Sequence, residues 1–524
     1  MAATDAASAT PAAPAAGPTE QVLAALGDVT PDTAAPEAPN TTFCIVGGPM
    51  GAMEEDAAEY VASKVLSGER THYTRAELGS WAHSEGSLTV LGKAIASCPG
   101  MVEIDFANIV AGRREAQAVA AYRALADQLE PLRGKIRLVD FSYNAIGPRG
   151  LAPLRGLLLE QTALEELIMV RCGVSGATQE SIADLLLFRG ALDRPAPGAA
   201  PAAADAPLPP AMATRLRRLI FDNNLAKDQG AQAMARIIRH SPDLEEFQMG
   251  MSRVESAGAI ALMDAIRALP RPNLRRIDVH DNVFGEAAGP AVAATVSPAV
   301  VPALEEFLAS DLMLHDGGVA MVARSLLGLP VEPTGDDAAD LTPDPAALKR
   351  PLRVLSLGGN DVVVDGAAMP FVALLLRELP ALQEMRLAVN DMGFAVRLLA
   401  DALRQRRAAG RPDIRLLDIS GNLCHPKALN DVVDACIECG VAQLEIGGNF
   451  GSEERVQGWA DRAAAAGGAT TISTSGGEME PEEEDTEAEE EEAYEHVALP
   501  ELRTPADAAV DALADELAKA TVEE

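Results

Sequence analysis

The sequence predicts an α/β fold, a solenoid of short parallel strands and helices, from three observations. A nine-residue phrase with apolar residues at positions 1, 4 and 6 recurs along the chain, and its clearest copy is Leu216, Leu219 and Phe221 followed by Asn224. The commonest spacing between successive copies is 28–30 residues. The segments between copies carry a helical apolar period. One such unit cannot bury its own apolar face, so the units must stack, as in leucine-rich repeats.

Twelve copies of the phrase are recognisable, and the first of them is the weakest. They start at residues 73, 101, 136, 164, 216, 244, 274, 304, 352, 382, 414 and 441. The long period leaves room for a true α-helix after each strand. In 230–240, for example, Ala233, Met234, Ile237 and Ile238 share one helical face. We therefore expect a horseshoe with a parallel sheet on the concave face and helices outside.

The flanking segments differ in composition from the repeats. We expect a disordered Ala/Pro-rich N-terminus over 1–40, and a capping segment plus solenoid over 41–470 with a first strand at 42–46 and a helix at 55–66. Pro/Ala/Asp-rich insertions lie near 190–212 and 331–348, where the copies are most widely spaced. A helix over 453–466 closes the array, with Val456, Trp459 and Ala463 on its inner side. Beyond it we expect a disordered acidic tract over 471–504 and a short helix over 505–524.

Charge and composition exclude several classes of function. The net charge is −35, which argues against nucleic acid as a direct partner because phosphate binding needs a basic face. Residues 478–524 hold 19 acids and 2 bases, and this tail either steers a basic partner or aids solubility. Six cysteines make no disulfide framework, and no apolar run is long enough to span a membrane. We expect a monomer that is not inserted in a membrane.

The chain lacks the motifs of a self-contained enzyme. It has no phosphate-binding loop with a lysine and no nucleophile elbow. Cys436 and Cys439 form the only close cysteine pair, and a zinc site would need two further ligands, so we interpret both as buried helix thiols. The sequence therefore predicts no metal, no cofactor and no catalysis without a partner.

The outward positions after each strand are the candidate binding residues. Asn at position 9 recurs with the repeat period, which predicts that its side chain pairs with backbone groups of the turns. Outward polar residues whose identity does not repeat are better candidates for a partner, although each is also compatible with a merely solvated face. They are Arg171, Asp222, Asn223, Gln248, His280 and Asp281.

Several segments resemble the Ran GTPase-activating proteins, especially the plant branch. The segments are 110–115 with Arg113, 221–224, 241–247 continuing to Ser252, Arg253, Val254 and Gly258, and 281–285. The similarity covers roughly 42–451, and that family also ends in an acidic tract. The resemblance adds Arg253 to the candidate partner-binding residues.

The resemblance implies stimulation of GTP hydrolysis by the small GTPase Ran, in support of nucleocytoplasmic transport. Members of this family are understood to help the GTPase position its own glutamine, assisted by an asparagine on an early repeat. Here Arg171 stands at that position. Either a neighbour such as Asn223 orients the glutamine, or Arg171 supplies charge directly, or activity is reduced. Arg113 falls on the family's arginine and either acts directly or stiffens a loop through a salt bridge.

The resemblance also bears on partner and location. The partner would be GTP-bound Ran, which would bring the nucleotide and its Mg²⁺. Plant members carry an N-terminal targeting domain rich in Trp-Pro-Pro, and residues 1–40 contain no tryptophan. We therefore expect a cytoplasmic protein, with the outer face of the nuclear envelope as the other location that the family suggests. The alternative function is a non-catalytic leucine-rich repeat scaffold or inhibitor-like binding module.

Overall fold

The protein folds into two compact units of strand–loop–helix repeats, Met1–Leu164 (unit 1) and Glu165–Glu524 (unit 2). The structure, a computed structural model, describes residues 42–45, 51–66, 73–79, 81–159, 161–188, 211–331, 343–480 and 499. The predicted N-terminal segment 1–40, most of both insertions, the acidic tract beyond 480 and the helix at 505–524 lie outside these residues.

Every described strand is three residues long. Unit 1 contains β1 Thr42–Cys44, β2 Gly51–Met53, β3 Arg75–Glu77, β4 Trp81–His83, β5 Glu103–Asp105 and β6 Leu138–Asp140. Unit 2 contains β7 Glu166–Ile168, β8 Arg218–Ile220, β9 Glu246–Gln248, β10 Arg276–Asp278, β11 Glu306–Leu308, β12 Val354–Ser356, β13 Glu384–Arg386, β14 Leu416–Asp418, β15 Gln443–Glu445 and β16 Thr471–Ser473. In all twelve copies of the phrase, the strand occupies positions 3 to 5.

The α-helices follow the strands as the period predicts. In unit 1 they are α1 Glu55–Leu66, α2 Glu85–Ala96, α3 Glu115–Gln128 and α4 Gly147–Leu159. In unit 2 they are α5 Gly176–Leu187, α6 Lys227–Arg239, α7 Ser256–Arg267, α8 Gly289–Val296, α9 His315–Leu326, α10 Ala368–Glu378, α11 Arg397–Ala408, α12 Pro426–Cys439 and α13 Glu453–Ala465. Short 3₁₀ turns occupy Glu130–Leu132, Glu286–Ala288, Ala347–Lys349 and Gly393–Val396.

Within each unit the strands form an open parallel sheet. In unit 2 the order is β7 to β16 in sequence, and in unit 1 it is β1, β3, β5 and β6. Equivalent positions face each other on neighbouring strands, so that Arg218 lies opposite Glu246 and Glu246 lies opposite Arg276. This register confirms a leucine-rich repeat solenoid as the fold class of each unit.

The core is aliphatic, with one aromatic ring in some repeats. Phe221, Phe247 and Phe307 are fully buried between strand and helix. The predicted apolar face of α6 is also buried, since Ala233, Met234, Ile237 and Ile238 are at most 2% exposed. Positions 1, 4 and 6 of the phrase therefore point inward, which leaves positions 3, 5, 7 and 8 to face outward.

Two features of the ends differ from the predictions. The predicted capping strand β1 pairs with β3, and a second parallel pair, β2 with β4, forms a separate two-stranded sheet in unit 1. At the other end, Trp459 and Ala463 of α13 are buried as predicted, whereas Val456 is only half-buried. The array continues beyond this helix to β16, which pairs with β15. Residues 471–480, predicted as the start of the acidic tract, are thus ordered, and the amide of Gly451 donates to the carbonyl of Glu480 at 2.9 Å. An extra strand covers the backbone edge of β15 that a helix alone would leave exposed.

Two buried arginines tie loops to the solenoid of unit 2. The Arg406 guanidinium donates to the carbonyls of Leu376 at 2.8 Å and Leu379 at 2.7 Å, and to three further carbonyls nearby. Arg350 donates to the carbonyl of Val296 at 2.9 Å. Burial lowers the pKa of both guanidinium groups to about 10, so both remain charged at neutral pH.

Candidate functional site

The candidate site lies where the strands of unit 2 end and the chain turns toward the helices. We call the residues at positions 7, 8, 10 and 12 of these repeats the exit edge. Position 8 adopts a left-handed backbone in repeat after repeat, with φ of 54° at Arg171, 53° at Asn223 and 51° at Asp281. This conformation turns each strand toward its helix and directs the next side chain inward.

The inward side chain is the position-9 asparagine, and its role is structural as predicted. Asn282 donates from Nδ2 to the carbonyls of Met249 and Val279 at 2.9 and 2.8 Å, and accepts from the amide of Val254 at 2.9 Å. Asn224 makes equivalent bonds one repeat earlier. These side chains satisfy buried backbone groups that no neighbouring strand reaches, so position 9 is not available to a partner.

The structure brings most of the predicted binding residues together on four neighbouring repeats. Backbone hydrogen bonds link Arg171 to Asp222 at 3.0 Å, Asn223 to Gly250 at 2.9 Å, and Met251 to His280 at 2.9 Å. Gln248, Arg253 and Asp281 belong to the same repeats. Positions separated by more than 100 residues in the chain therefore share one continuous edge.

An acid–histidine cluster occupies the middle of this edge. His280 Nδ1 lies 2.6 Å from Oδ1 of Asp278. Asp222 accepts a hydrogen bond of 2.7 Å from the backbone amide of Gly250. The cluster joins the repeats of β8, β9 and β10, and the absence of a side chain at Gly250 makes room for the His280 ring.

The charges in the cluster influence one another. Burial raises the pKa of Asp222 to about 6, opposed by the Gly250 amide and increased by the charge of Asp278. The hydrogen bond to Asp278 raises the pKa of His280, although burial opposes this. Burial alone would raise the pKa of Asp278, but the hydrogen bond and charge of His280 lower it. The charge of this edge therefore depends on pH, because Asp222 has a pKa of about 6 and the pKa of His280 is raised above its ordinary value.

The remaining predicted residues differ in how firmly they are held. Gln248 donates to the carboxylate of Glu246, and Asn223 donates from Nδ2 to the sulfur of Met251 at 3.2 Å. Arg171 and Arg253 are exposed, and neither forms an ion pair within the described residues. Their guanidinium groups are thus accessible to a partner.

Charge is distributed unevenly along the exit edge. At positions 8, 10 and 12 of the repeats of β7, β8 and β9, the charged residues are Arg171, Lys227, Arg253 and Glu255. We call this the basic segment. The same positions after β10 to β14 hold no lysine or arginine but four aspartates, Asp281, Asp311, Asp361 and Asp391. We call this the acidic–apolar segment, since exposed apolar residues accompany the aspartates.

A ladder of alternating charges crosses the strand face beside the edge, and it was not predicted from the sequence. At position 3, Arg218 bonds Glu166 at 2.6 Å and Glu246 at 2.7 Å, and Arg276 continues the ladder to Glu306. A parallel row at position 2 pairs Arg217 with Glu245 at 2.7 Å. The sequence does contain this pattern. Positions 2 and 3 of successive copies are Glu-Glu and Arg-Arg in alternation from Glu165 to Glu306. The ladder pairs charges across the strand face, whereas Arg171 and Arg253 at the edge form no ion pair within the described residues.

Arg113 lies in unit 1 and its guanidinium is occupied. It donates to the carbonyl of Ala82 at 2.6 and 3.2 Å, and to Glu54 at 2.6 Å. The Arg113 side chain is only 16% exposed. These contacts fix the loop after β5 against β4, which is the structural one of its two predicted roles.

The described residues contain no group of three or more His, Cys, Asp or Glu side chains that could hold a metal ion. Cys436 and Cys439 lie in α12, and burial raises the pKa of both thiols, so both stay protonated at neutral pH. No helix in the described ranges is both long and apolar enough to cross a bilayer.

Comparison with known proteins found a short match in sequence and a structural neighbour with a low TM-score. No protein-family model matches the chain. The RAN GTPase-activating protein 1 of Arabidopsis thaliana is 28% identical over 129 residues, 24% of this chain and 24% of that protein, so the match spans about a quarter of the relative's length. Among solved structures, an internalin of Listeria monocytogenes matches with a TM-score of 0.39 and 11% identity, over 87% of this chain and 93% of that one.

Proposed function

We propose that this leucine-rich repeat protein stimulates GTP hydrolysis by the small GTPase Ran. The similarity to the RAN GTPase-activating protein of Arabidopsis thaliana supports the class of activity. The observation that carries the proposal is the basic segment of the exit edge. There Arg171 stands exposed on a left-handed turn, next to Asn223 of the following repeat, with no ion pair among the described residues.

The proposed role is that of an activator, and the partner supplies the nucleotide, its Mg²⁺ and the attacking water. Hydrolysis builds negative charge on the transferring phosphoryl group and its leaving oxygen. An arginine aimed at that charge accelerates hydrolysis electrostatically, whereas an amide side chain can hold the partner's catalytic glutamine in place. In this proposal Arg171 stabilises the charge and Asn223 orients the glutamine, and the two residues lie on adjacent repeats.

The other proposed contacts orient the GTPase. Arg253 and Lys227 extend the positive charge of the basic segment, and Asp222, Gln248, His280 and Asp281 offer hydrogen-bonding groups beside it. A left-handed backbone holds Arg253 outward, as it does Arg171. The hydrogen bonds of the position-9 asparagines fix the backbone of this edge, so binding a partner requires little ordering of the loops.

A single-turnover assay with GTP-loaded Ran tests the proposal. We expect the full chain to raise the hydrolysis rate, and Arg171→Ala to lower the stimulated rate about 100-fold if its charge acts on the phosphoryl group. Asn223→Ala reports on the glutamine-orienting route, and Arg113→Ala on the loop in unit 1. The matched control is Arg239→Ala, an exposed arginine at the end of α6 in the helix layer.

The assay also separates the activator from the alternative. An unchanged hydrolysis rate at saturating protein would overturn the proposal and leave a binding scaffold. Fluorescence anisotropy with a labelled GTPase then measures whether the same edge binds without accelerating hydrolysis. Thermal melting of each variant confirms that loss of rate is not loss of fold.

A further inference from the structure

The acidic–apolar segment displays a row of large apolar side chains to solvent. We call Val283, Met313, Val363, Val389 and Leu423 the apolar row, and their exposed fractions are 45%, 46%, 39%, 64% and 46%. They occupy positions 8, 10 or 12 of five consecutive repeats, after β10, β11, β12, β13 and β14. Leu225 (53% exposed) and Met251 (42%) continue the same positions into the basic segment, so the row is the part of a longer apolar band that lies among aspartates. Scattered apolar side chains are ordinary on a surface, but a contiguous row marks a site of association.

Three members of the row sit in backbone conformations that disfavour their side chains. The φ angle is 56° at Met313, 57° at Val389 and 51° at Leu423. For a β-branched residue such as valine this conformation is a clear outlier, and asparagine or glycine would adopt it at lower cost. The neighbouring repeat uses Gly421 at the position equivalent to Val389. Folding alone does not account for costly, solvent-exposed apolar residues at these turns.

The charges around the row are of one sign. Positions 8, 10 and 12 of the five repeats hold four exposed aspartates and no lysine or arginine. Their two histidines are engaged. His315 Nδ1 lies 3.0 Å from a carboxylate oxygen of Asp361, and His425 caps α12, with its ring tilted by 31° against that of Phe394. A partner that covers the apolar row must therefore bring basic side chains to its borders.

The row runs across the repeats. Its members lie at position 10 (Val283, Met313 and Leu423), position 12 (Val363) and position 8 (Val389) of successive repeats, so the apolar band crosses five neighbouring turns. A partner segment that covers the band must present apolar side chains along one face. An amphipathic helix does so with an apolar residue about every turn.

We propose that the acidic–apolar segment binds a basic amphipathic helix of a partner protein, with the apolar stripe of that helix on the row and its lysines or arginines facing the four aspartates. The contact overlaps the surface proposed for the GTPase at the β10 repeat, which carries Asp281, and its other four repeats lie beyond that surface. It goes beyond the proposed function and does not depend on it.

Asparagine substitutions provide the test. In Val389→Asn/Leu423→Asn, two apolar contacts are lost while the net charge is unchanged, and asparagine fits the left-handed turns better than valine or leucine. The probe is a labelled peptide of leucine and lysine with leucines at helical spacing, compared with a peptide of the same composition in strict alternation. Fluorescence anisotropy measures both affinities for the full chain, and circular dichroism measures helix formation on binding.

We expect the helical-period peptide to bind more tightly than the alternating one, to gain helicity, and to lose about tenfold in affinity with the double asparagine variant. The variant should melt at the same temperature as the parent or higher. Asp361→Asn/Asp391→Asn should weaken binding and reduce its salt dependence. Met212→Asn and Asp243→Asn, an exposed methionine and an exposed aspartate away from the row, are the controls.

Equal affinity of the parent and the double asparagine variant would overturn the proposal. In that case the peptide binds through general attraction to an acidic chain, since all variants share the same tail. Equal affinity for the two peptides would overturn the helical form of the partner. Because Val389 and Leu423 lie outside the basic segment, the GTPase assay should not respond to this double variant, so that either proposal can fail alone.

Discussion

The imidazole of His280 fills the space that a side chain on Gly250 would need, since a Cβ atom there would lie 2.6 Å from Nδ1 of the ring. The same ring nitrogen lies 2.6 Å from Oδ1 of Asp278. Gly250→Ala should therefore displace His280 from Asp278, lower the pKa of His280 and cost roughly 1–2 kcal/mol of stability. NMR titration of the imidazole measures the first effect and urea unfolding the second. Gly156→Ala is the control, because a Cβ there meets no atom within 4 Å. It should leave the His280 pKa unchanged and raise stability by about 0.5–1 kcal/mol, since Gly156 lies inside helix α4 and alanine is the better helix former.

Asp222 should make stability depend on pH. Burial raises its pKa to about 6, so the folded state binds this proton more tightly than the unfolded chain does. The free energy of unfolding should therefore fall as pH rises from the ordinary aspartate range through about 6. Asp222→Asn should remove this decline, as measured by urea unfolding at a series of pH values. It should also lower the pKa of His280, because the charge of Asp222 helps to raise it; an unshifted imidazole titration would contradict the coupling.

Glu246 is the central carboxylate of the charge ladder, between Arg218 at 2.7 Å and Arg276 at 3.8 Å. Glu246→Gln leaves two half-buried guanidinium groups with one fewer partner each, and should lower the free energy of unfolding by about 1–2 kcal/mol. Asp264→Asn removes an exposed pair with Arg267 on the helix layer and should change stability by less than about 0.5 kcal/mol. Chemical unfolding of both variants makes the comparison, and equal effects would show that the ladder is no stronger than a surface pair.

Asn282→Ala should be among the most destabilising single changes at the exit edge. It removes the partners of the Met249 and Val279 carbonyls and of the Ser252 and Val254 amides, all of which are buried. The expected loss is about 2–4 kcal/mol, since each orphaned backbone group keeps its desolvation cost. Asn273→Ala, at an exposed loop position, should be nearly neutral. A small loss at Asn282 would mean that water replaces the side chain.

Much of the fold followed from the repeat. The strand positions of all twelve copies, α1, and the buried face of α6 are confirmed. The extra pair of β2 and β4 and the final strand β16 were not predicted, because three-residue strands without the nine-residue phrase carry no period of their own. The individual roles of the candidate binding residues stay predictions, although the structure places Arg171, Asp222, Asn223, Gln248, Arg253, His280 and Asp281 on one edge.

The sequence by itself determined which side chains point inward, because apolar residues at positions 1, 4 and 6 and the asparagine at position 9 recur with a period that burial alone explains. Only the tertiary structure decided which outward side chains meet. Contacts such as Arg218 with Glu166, or Gly250 with His280, join residues on different repeats, and their existence depends on strand register and on the insertions between copies. The left-handed turns that expose Arg171 and Val389 are likewise stabilised by hydrogen bonds of the position-9 asparagines. Those bonds form only after neighbouring repeats have stacked.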